Sequence, residues 1–270
     1  MFTARRLWQM IAAAALLGVA LPAPAAYAGR PHAPDHLYVA SYNGECTSLL
    51  SIIDHHGHAR SWEPVGGPCG YASAMAIVHT IRTLPARPGE TGAEYTLRGV
   101  PTGTTYAYPD TLVMDLPEGT TDGRFNYAGG YFDGTVYRFT RAWTDPQPLF
   151  TTGLYLGGLA FDPTTRTLWV LDARADFEGG LGEVRQYTLD GTLVSSFFVR
   201  GGATPQPFGL AYDARHRELW ISRNVGFDAP VVLERYSVTG TYGGTVVTDL
   251  VGIPGSLEFR LLGAPRHHHR

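Results

Sequence analysis

The sequence contains no lysine. Its 21 basic residues are all arginine, its acidic residues number 24, and the formal net charge at pH 7 is -3. Without a side-chain amine the protein cannot use lysine Schiff-base chemistry. The charge balance also leaves no strongly basic surface for nucleic acid. We therefore expect no nucleic-acid partner.

Long apolar runs are also lacking. The one sustained apolar segment, residues 10–21, is too short to span a bilayer comfortably. Arg5 and Arg6 precede it and a small-residue A-x-A site follows, which together predict a cleavable signal peptide over residues 1–28. The mature protein would begin near Gly29 and be secreted or periplasmic, with no membrane anchor after cleavage. A retained anchor and a twin-arginine export route are the alternatives.

Cysteine is scarce, with only Cys46 and Cys69. In an exported chain this pair predicts a disulfide, and closing a loop of this length stabilises by roughly 3 kcal/mol. Metal binding by the pair is the weaker reading because no C-x-x-C spacing is present. The mature chain of about 242 residues is long enough for one large all-β domain.

A repeat fills the second half of the chain. The segments "GLAFDPTTRTLWVLDARADFEGGLGEVRQYTLDGTLVSSFFV" and "GLAYDARHRELWISRNVGFDAPVVLERYSVTGTYGGTVVT" begin at Gly158 and Gly209, 51 positions apart, and Trp169 and Trp220 keep the same spacing. Each holds four short β-rich runs separated by turn residues. A period of about 40 to 50 residues with four strands per unit is typical of a β-propeller blade. The sequence therefore predicts an all-β fold built as a single β-propeller.

Turn residues provide a count of the blades. Equivalent turns end at Gly57, Gly99, Gly191 and Gly240, and the double gap in the middle holds "GTVYRFTRAWTDPQPLF", whose turn at 143–145 lacks glycine. Five blades fit this spacing. Six remain the alternative, if two thin blades occupy the weakly patterned residues 70–109.

The two ends of the chain complete each other. "HLYVASY", near the start, matches a second strand, and "GIPGSLEFRL", near the end, resembles the innermost strand that the first blade lacks. We expect the C-terminal strand to complete the N-terminal blade, since this closure removes open sheet edges. The predicted domain limits are an N-terminal tail at 29–35, a propeller at 36–262 and a C-terminal tail at 263–270. We expect a monomer.

The pattern "GLAFD…LWVLD…G.V.QYTLDG" resembles secreted propellers of the NHL-repeat and gluconolactonase-like superfamily, chiefly over residues 155–250. Those relatives are mostly six-bladed, and the resemblance lies in the blade and not in an active site. The calcium-dependent lactonases among them bind the metal with Glu, Asn and Asp in the channel. This mature chain has only Asn43, Asn126 and Asn224, which the register places toward the second strand or its loop, so that motif is not carried over.

Loop lengths indicate which end of the propeller is used. Turns such as "LDGT" and "VTGT" are short, whereas the loops between second and third strands, "YNGEC", "GGYFDG", "DARADFEGGLG" and "SRNVGFDAP", are long and charged. Ligand-contacting residues favour loops on a rigid scaffold, and aromatic, carboxylate and arginine side chains suit sugars, peptides or small polar ligands. Solvated loops without a ligand are the alternative. The predicted ligand-binding residues are Tyr131, Phe132, Asp133, Asp172, Arg174, Asp176, Phe177, Arg223, Asn224, Phe227 and Asp228.

Other polar residues favour structural roles. Asp115, Asp162 and Asp213 each follow an apolar strand motif and are expected to cap turns rather than ring a metal. The histidines of "DHHGH", His55, His56 and His58, lie in a short turn that offers no shared concavity for a metal. His79, within "AIVHTI", is expected to lie in the core.

Catalytic residues are not identified by any motif. The sequence has no G-x-S-x-G nucleophile elbow. Glu258, on the predicted closing strand, is the candidate channel carboxylate, because a charge there must face water or be paired.

Three functions follow as hypotheses. The favoured one is an exported propeller that binds a small polar ligand, a glycan or an extracellular protein through its long-loop end, with no cofactor. The alternative is a lactonase, hydrolase or lyase with a divalent cation such as calcium in the channel, which needs at least three oxygen ligands near Glu258. A structural spacer is the third.

Overall fold

The computed structural model describes residues 36–42, 48–54, 56–63, 74–85, 88–112, 115–173, 182–200 and 206–261. These residues form twenty β-strands and no helix. Within them, accordingly, no helix is long and apolar enough to cross a membrane.

The strands form five four-stranded antiparallel blades, which confirms the predicted fold class and the count of five. In blades 2 to 5 the strands follow chain order from the centre outward, whereas blade 1 has the C-terminal strand at its centre. Blade 1 consists of β20 (Ile253–Phe259), β1 (Leu37–Tyr42), β2 (Ser48–Ile53) and β3 (Ala59–Trp62). Blade 2 consists of β4 (Ala74–Ile77), β5 (Thr80–Leu84), β6 (Thr91–Thr96) and β7 (Pro101–Ala107).

The other three blades follow in sequence. Blade 3 consists of β8 (Glu118–Thr121), β9 (Asn126–Gly129), β10 (Thr135–Phe139) and β11 (Gln147–Thr151). Blade 4 consists of β12 (Leu156–Asp162), β13 (Thr167–Asp172), β14 (Glu183–Thr188) and β15 (Leu193–Phe198). Blade 5 consists of β16 (Gln206–Asp213), β17 (Glu218–Asn224), β18 (Pro230–Ser237) and β19 (Tyr242–Val251).

The C-terminal strand closes the ring, as the sequence predicts. β20 pairs antiparallel with β1, and Leu37 lies opposite Phe259 while Val39 lies opposite Leu257. The innermost strands β20, β4, β8, β12 and β16 contact one another in that order around the centre. Among the described strands, closure leaves the outer strand of each blade as its open edge.

The apolar core is divided among the blade interfaces. Successive side chains of a strand point to opposite faces, so each blade packs on both neighbours. Trp169 of blade 4 packs with Leu210 of blade 5, whereas its neighbour Leu168 packs with Tyr127 of blade 3. The repeated apolar alternation in the sequence is therefore the pattern of a sheet buried on both sides.

The turns between third and fourth strands share one backbone geometry in all five blades. In each, an N–H donates to the carbonyl three residues earlier at 2.9–3.1 Å, and the donor residue has a positive φ. The five donor residues are Gly57, Gly99, Trp143, Gly191 and Gly240. The prediction that residues 143–145 form the turn of blade 3 without glycine is confirmed, with φ of 58° at Trp143 and 53° at Asp145.

Glycine at this turn allows close packing on the preceding blade. A Cβ added to Gly191 would lie 2.6 Å from the Cβ of Phe150, which belongs to the outer strand of blade 3. Blade 3 uses a different solution, because the Trp143 side chain is itself fully buried and contacts Phe139 with ring centroids 5.4 Å apart.

Turn capping by aspartate is confirmed at Asp162 and Asp213. Asp162 Oδ1 accepts the N–H of Thr164 at 2.8 Å, and Asp213 Oδ1 accepts that of Arg215 at 2.9 Å. The placement of Asp115 at the end of an innermost strand is wrong. The innermost strand of blade 3 is β8, which begins after Asp115, and Asp122 caps its turn by accepting the N–H of Phe125 at 2.6 Å.

His79 does not lie in the core, contrary to expectation. β4 ends at Ile77 and β5 begins at Thr80, so His79 lies in the tight turn between them and is exposed. The apolar residues on the two sides of His79 belong to different strands, β4 and β5. The sequence "AIVHTI" resembles a single apolar strand, although it contains the turn between these two strands.

Candidate functional site

Long connections gather at one end of the propeller, called the long-loop face below. At this end the second strand of each blade ends and the third begins, and the outer strand of one blade ends before the innermost strand of the next begins. Some predicted residues of this face, Arg174, Asp176 and Phe177, lie outside the described residues, as do Cys46 and Cys69 of the predicted disulfide. These remain predictions.

Four aromatic side chains meet on the long-loop face and are called the aromatic cluster. The Tyr131 and Phe132 rings have centroids 4.8 Å apart, Tyr155 lies 5.9 Å from Tyr131 and 6.2 Å from Phe132, and Phe208 lies 6.0 Å from Tyr131. The contacts are mostly edge to face, the arrangement that aromatic quadrupoles favour. Phe132 is 64 % exposed, although most large apolar side chains of the described chain are buried.

Backbone bonds hold the cluster in place. The Tyr131 N–H donates to the carbonyl of Asp115 at 3.0 Å, and the Tyr131 carbonyl accepts the N–H of Leu156 at 3.2 Å. The predicted site residue Asp133 fixes the same loop, because its carboxylate accepts the Thr135 N–H at 3.0 Å and the Tyr137 hydroxyl at 2.9 Å. Burial, together with this bond to Asp133, raises the pKa of Tyr137. The cluster is thus presented on a fixed loop.

A second predicted group lies at the loop of blade 5. Phe227 is 44 % exposed and packs edge to face on Tyr42, with centroids 5.8 Å apart. Asn224 caps this loop by accepting the N–H of Gly226 at 3.2 Å. Phe227 and Asp228 line a groove of about 620 Å³ between blades 5 and 1. These residues are available to a ligand.

Arg223 and Asp172 are not displayed on the face. Arg223 is only 2 % exposed and pairs with Glu234 at 2.7 Å, while also donating to the carbonyl of Arg200. Tyr236 completes this set, since its hydroxyl donates to Glu234 at 2.7 Å and accepts the Arg200 N–H at 3.0 Å. Asp172, 6 % exposed, accepts the Tyr155 N–H at 3.4 Å. These contacts bind blades 4 and 5 and orient the loop of Tyr155.

Two buried glutamates occupy the central channel. Glu118 reaches across it: Oε1 accepts the N–H groups of Leu210 at 3.2 Å and Leu257 at 3.3 Å, and Oε2 accepts the Ser256 hydroxyl at 3.2 Å. Its partners belong to blades 5 and 1. One carboxylate therefore satisfies backbone donors of two innermost strands whose inner edges have no further strand to pair with.

Glu258 does the same on the other side of the channel. Its Oε1 accepts the Thr120 hydroxyl at 2.9 Å, and the oxygen of Thr120 accepts the Phe161 N–H of blade 4 at 3.0 Å. The predicted channel position of Glu258 is thus occupied by a carboxyl group that is paired rather than open to solvent, with 4 % of the residue exposed.

Both glutamates have pKa values well above the ordinary range. Burial is the main cause for each, and the nearby charge of Glu258 raises the pKa of Glu118 further. Hydrogen bonds from Ser256 and Thr120, and the positive charge of Arg141 near Glu258, act in the opposite direction. Two such deeply buried carboxyl groups favour the protonated form because ionisation there is poorly solvated.

The channel does not match the ligand set of a divalent cation. Among the residues that the structure describes, no three histidine, cysteine, aspartate or glutamate side chains are placed to hold a metal. The described histidines of the predicted cluster are also apart from the channel: His58 is 77 % exposed and pairs weakly with Asp249 at 3.7 Å. The Glu118 and Glu258 oxygens already accept backbone or hydroxyl donors, which a cation would have to displace.

Three contributors to these sites escaped the sequence analysis: Glu118, Tyr155 and Phe208. The sequence did hold a signal for Glu118, because "PEGTTD" aligns with "GGLAFD" and "FGLAYD" once Asp122 is matched to Asp162 and Asp213. Glu118 then falls where the repeats have glycine. Tyr155 comes directly before the innermost strand β12, and Phe208 lies near the start of β16, so the exposure of both depends on the adjoining loops.

Comparisons with known proteins support the fold. No protein-family model and no curated protein matches this chain. Its structure is similar to a chain of a solved structure described as "Crystal structure of Nidogen/Laminin Complex", with a TM-score of 0.55 and 13 % identity, over 84 % of this chain and 98 % of that one. The class is therefore defined by architecture: the protein is a five-bladed β-propeller closed by its C-terminal strand.

Proposed function

We propose that this protein is an exported β-propeller that binds an extracellular protein through the long-loop face, with the aromatic cluster at the centre of the contact. The observation that carries the proposal is the exposure of Phe132, 64 %, on a loop fixed by the hydrogen bonds of Tyr131 and Asp133. Rigid aromatic side chains contribute most of the energy at many protein interfaces.

Further support comes from the surroundings of the cluster. Phe227 adds exposed aromatic surface at the same end of the propeller, beside the acidic Asp228. The similar propeller was solved as part of a nidogen/laminin complex, which is a protein assembly. A glycan or a small polar ligand would use the same face, and the experiment below separates these classes.

Export is part of the proposal. The signal peptide at 1–28, the tails at 29–35 and 263–270, the disulfide between Cys46 and Cys69, and the secreted or periplasmic location rest on the sequence. Membership of the NHL-repeat and gluconolactonase-like superfamily is likewise inferred from the repeat pattern.

The test is to probe mature protein, residues 29–270, on arrays of extracellular proteins, peptides and glycans, in wild-type form and as Phe132→Ser. Phe198→Ser is the matched control, because Phe198 is 62 % exposed but lies on the outer strand of blade 4. We expect binding to a protein or peptide that falls at least tenfold in Phe132→Ser and is kept in Phe198→Ser.

An equal loss of binding in Phe132→Ser and Phe198→Ser would contradict a specific role of the aromatic cluster. Binding to glycans alone would show that the partner is a glycan and not a protein. Retention of full binding in Phe132→Ser would place the contact elsewhere.

The alternative function, a metal-dependent lactonase, hydrolase or lyase, draws on the pair Glu118 and Glu258 in the channel. Its test is thermal unfolding after chelator treatment, with and without millimolar calcium, manganese or zinc. An ion at 100 times its dissociation constant stabilises by about 2.7 kcal/mol. A stabilisation lost in Glu258→Gln would favour the enzyme, and unchanged unfolding with every ion would leave the binding propeller.

A further inference from the structure

A second cavity lies at the opposite end of the propeller, away from the aromatic cluster. It has a volume of about 340 Å³ and is called the blade 5 pocket. Its polar walls are Asp213, His216, Glu218 and Arg235, and Trp220 lies beneath them. Trp220 packs edge to face on Phe259 at 5.8 Å, so the pocket opens on the side of blade 5 that faces blade 1.

The repeat itself shows what these positions do when they only support the fold. In blade 4 the equivalent residues form a closed neutral network: Gln186 Nε2 donates to Thr167 at 2.7 Å and to Thr165 at 3.3 Å, and Ser195 donates to Gln186 Oε1 at 3.0 Å. Every member of this network has a partner in the same blade, and nothing further is needed.

Blade 5 replaces all four members. The repeat spacing of 51 positions aligns Thr165 and Thr167 with His216 and Glu218. In blade 5, Arg235 lies opposite Trp220, as Gln186 lies opposite Trp169 in blade 4. Gly244 lies opposite Arg235, as Ser195 lies opposite Gln186. Thr165 is replaced by His216, Thr167 by Glu218, Gln186 by Arg235 and Ser195 by Gly244. Three neutral side chains become charged or titratable ones, and the fourth is removed.

The new side chains do not satisfy one another. Arg235 Nη1 and Glu218 Oε2 are 3.9 Å apart, too far for a hydrogen bond. Arg235 donates to the Gly243 carbonyl at 3.0 Å, but its buried Nε has no partner among the described residues. Gly244 supplies no side chain above the guanidinium. Opposite charges are thus held close together with unused donors and acceptors.

Asp213 and His216 are already committed to each other. Asp213 Oδ2 pairs with His216 Nδ1 at 2.7 Å, while its Oδ1 caps the turn. Among the described residues that line the pocket, Arg235 and Glu218 form an ion pair at 3.9 Å without a hydrogen bond between them, so each can still bind a group of a ligand. An anion would meet Glu218 and a cation would meet Arg235, whereas a molecule that carries both charges complements both.

We propose that the blade 5 pocket binds a small zwitterion of the α-amino acid class, with its carboxylate on Arg235 and its ammonium on Glu218. The volume lies at the lower end of the range for small-molecule sites. Trp220 and Val246 provide the apolar wall for a side chain. This site is independent of the long-loop face and of the partner proposed for it.

The test is calorimetric titration of mature protein with each of the twenty L-amino acids. Any that binds is compared with its N-acetyl form, which lacks the ammonium, and its amide, which lacks the carboxylate. We expect at least one amino acid to bind and both blocked forms to bind at least tenfold more weakly. No binding by any of the twenty, or equal binding of a blocked form, would overturn the proposal.

Variants locate the binding in the pocket. Glu218→Gln and Arg235→Gln are each expected to weaken it at least tenfold, and the control Arg60→Gln, on the exposed outer strand of blade 1, to leave it unchanged. Arg235 packs over the Trp220 ring at 5.8 Å, so Arg235→Gln can also disturb folding, and circular dichroism is used to check that this variant folds. If it does not fold, Glu218→Gln alone tests the site. Unchanged binding in Glu218→Gln would refute the site, and Phe132→Ser should leave amino acid binding intact.

Discussion

At the scale of single residues, Glu118 and Glu258 decide the character of the channel. Innermost strands of a propeller present unpaired backbone groups to the centre, and a buried donor without a partner is costly. Glu118 accepts donors from blades 1 and 5, and Glu258 acts with Thr120 on blades 3 and 4. These carboxyl groups thus serve to join blades across the centre.

This arrangement predicts how stability depends on pH. Because burial raises both pKa values, the folded protein holds these protons more tightly than the unfolded chain. The stabilisation is full below the ordinary glutamate pKa and is lost as pH rises through the folded values. The slope is at most about 1.4 kcal/mol per pH unit for each carboxyl group. We expect the unfolding free energy, from denaturant titrations between pH 5 and 9, to fall less steeply in Glu118→Gln and Glu258→Gln.

The comparison of slopes isolates the two glutamates, because other titrating groups such as Glu94, whose pKa is lowered, are common to all three proteins. Parallel pH profiles for wild type and both variants would show that these carboxyl groups do not titrate in this range.

Only one of this pair was foreseen from the sequence. Glu258 stood out because it lies within an apolar strand motif, "GSLEFRL", where a charge needs an explanation. Glu118 lies in "LPEGTTD", whose Pro, Gly and Thr resemble a loop, so the sequence pattern predicts the strand in the preceding "TLVMD" instead. β8 lacks the apolar signal of the innermost strand β12, because it has Thr120 and Thr121 where β12 has Ala160 and Phe161.

At the scale of elements, the recurring turn between third and fourth strands sets the spacing between blades. Gly191 combines a φ of 88° with a backbone position that leaves no room for a side chain next to Phe150. The spacing of the turn glycines predicts the blade count because the positive φ and the close contact with the neighbouring blade recur in four blades. Blade 3 has no glycine at this turn, so the spacing shows a double gap there, although Trp143 adopts the same turn geometry.

The two constraints on Gly191 can be separated by mutation. Gly153 also has a positive φ, 70°, but a Cβ there would have no neighbour within 4 Å. We expect Gly153→Ala to lower the unfolding free energy by roughly 1–2 kcal/mol, the left-handed backbone cost alone. Gly191→Ala should cost about 1–3 kcal/mol more, from overpacking against Phe150. Denaturant unfolding of both variants measures the difference.

Phe150→Ala supplies the cross-check. In the double variant with Gly191→Ala the overpacking is relieved, so the two changes should be less than additive. Equal losses for Gly153→Ala and Gly191→Ala would mean that the neighbouring blade does not constrain this turn.

At the scale of the whole molecule, repeat spacing and strand order sufficed to predict five blades and their closure, because both depend on periodic local patterns. The candidate site was harder. Loop lengths predict a site on the long-loop face, and the charged loop sequence "SRNVGFDAP" predicts that Arg223 belongs to it. The Arg223 side chain lies instead at the interface of blades 4 and 5. Sequence patterns describe strands, whereas the direction of a side chain at a strand end depends on the adjoining blade.

Closure by β20 carries the last prediction. Truncation after Gly252 removes the innermost strand of blade 1, with the buried Leu257 and Phe259, and exposes the inner edge of β1. Burying each such side chain contributes roughly 1.5–3 kcal/mol, and native stability is only about 5–15 kcal/mol. We expect the variant that ends at Gly252 to lose cooperative unfolding and to aggregate through the open edge. A variant that ends at Leu261 keeps β20 and is expected to behave as the wild type does. Circular dichroism melting and size-exclusion chromatography compare the variants that end at Gly252 and at Leu261. If the variant ending at Gly252 is a monomer with the same melting temperature as the longer one, the ring does not depend on its closing strand.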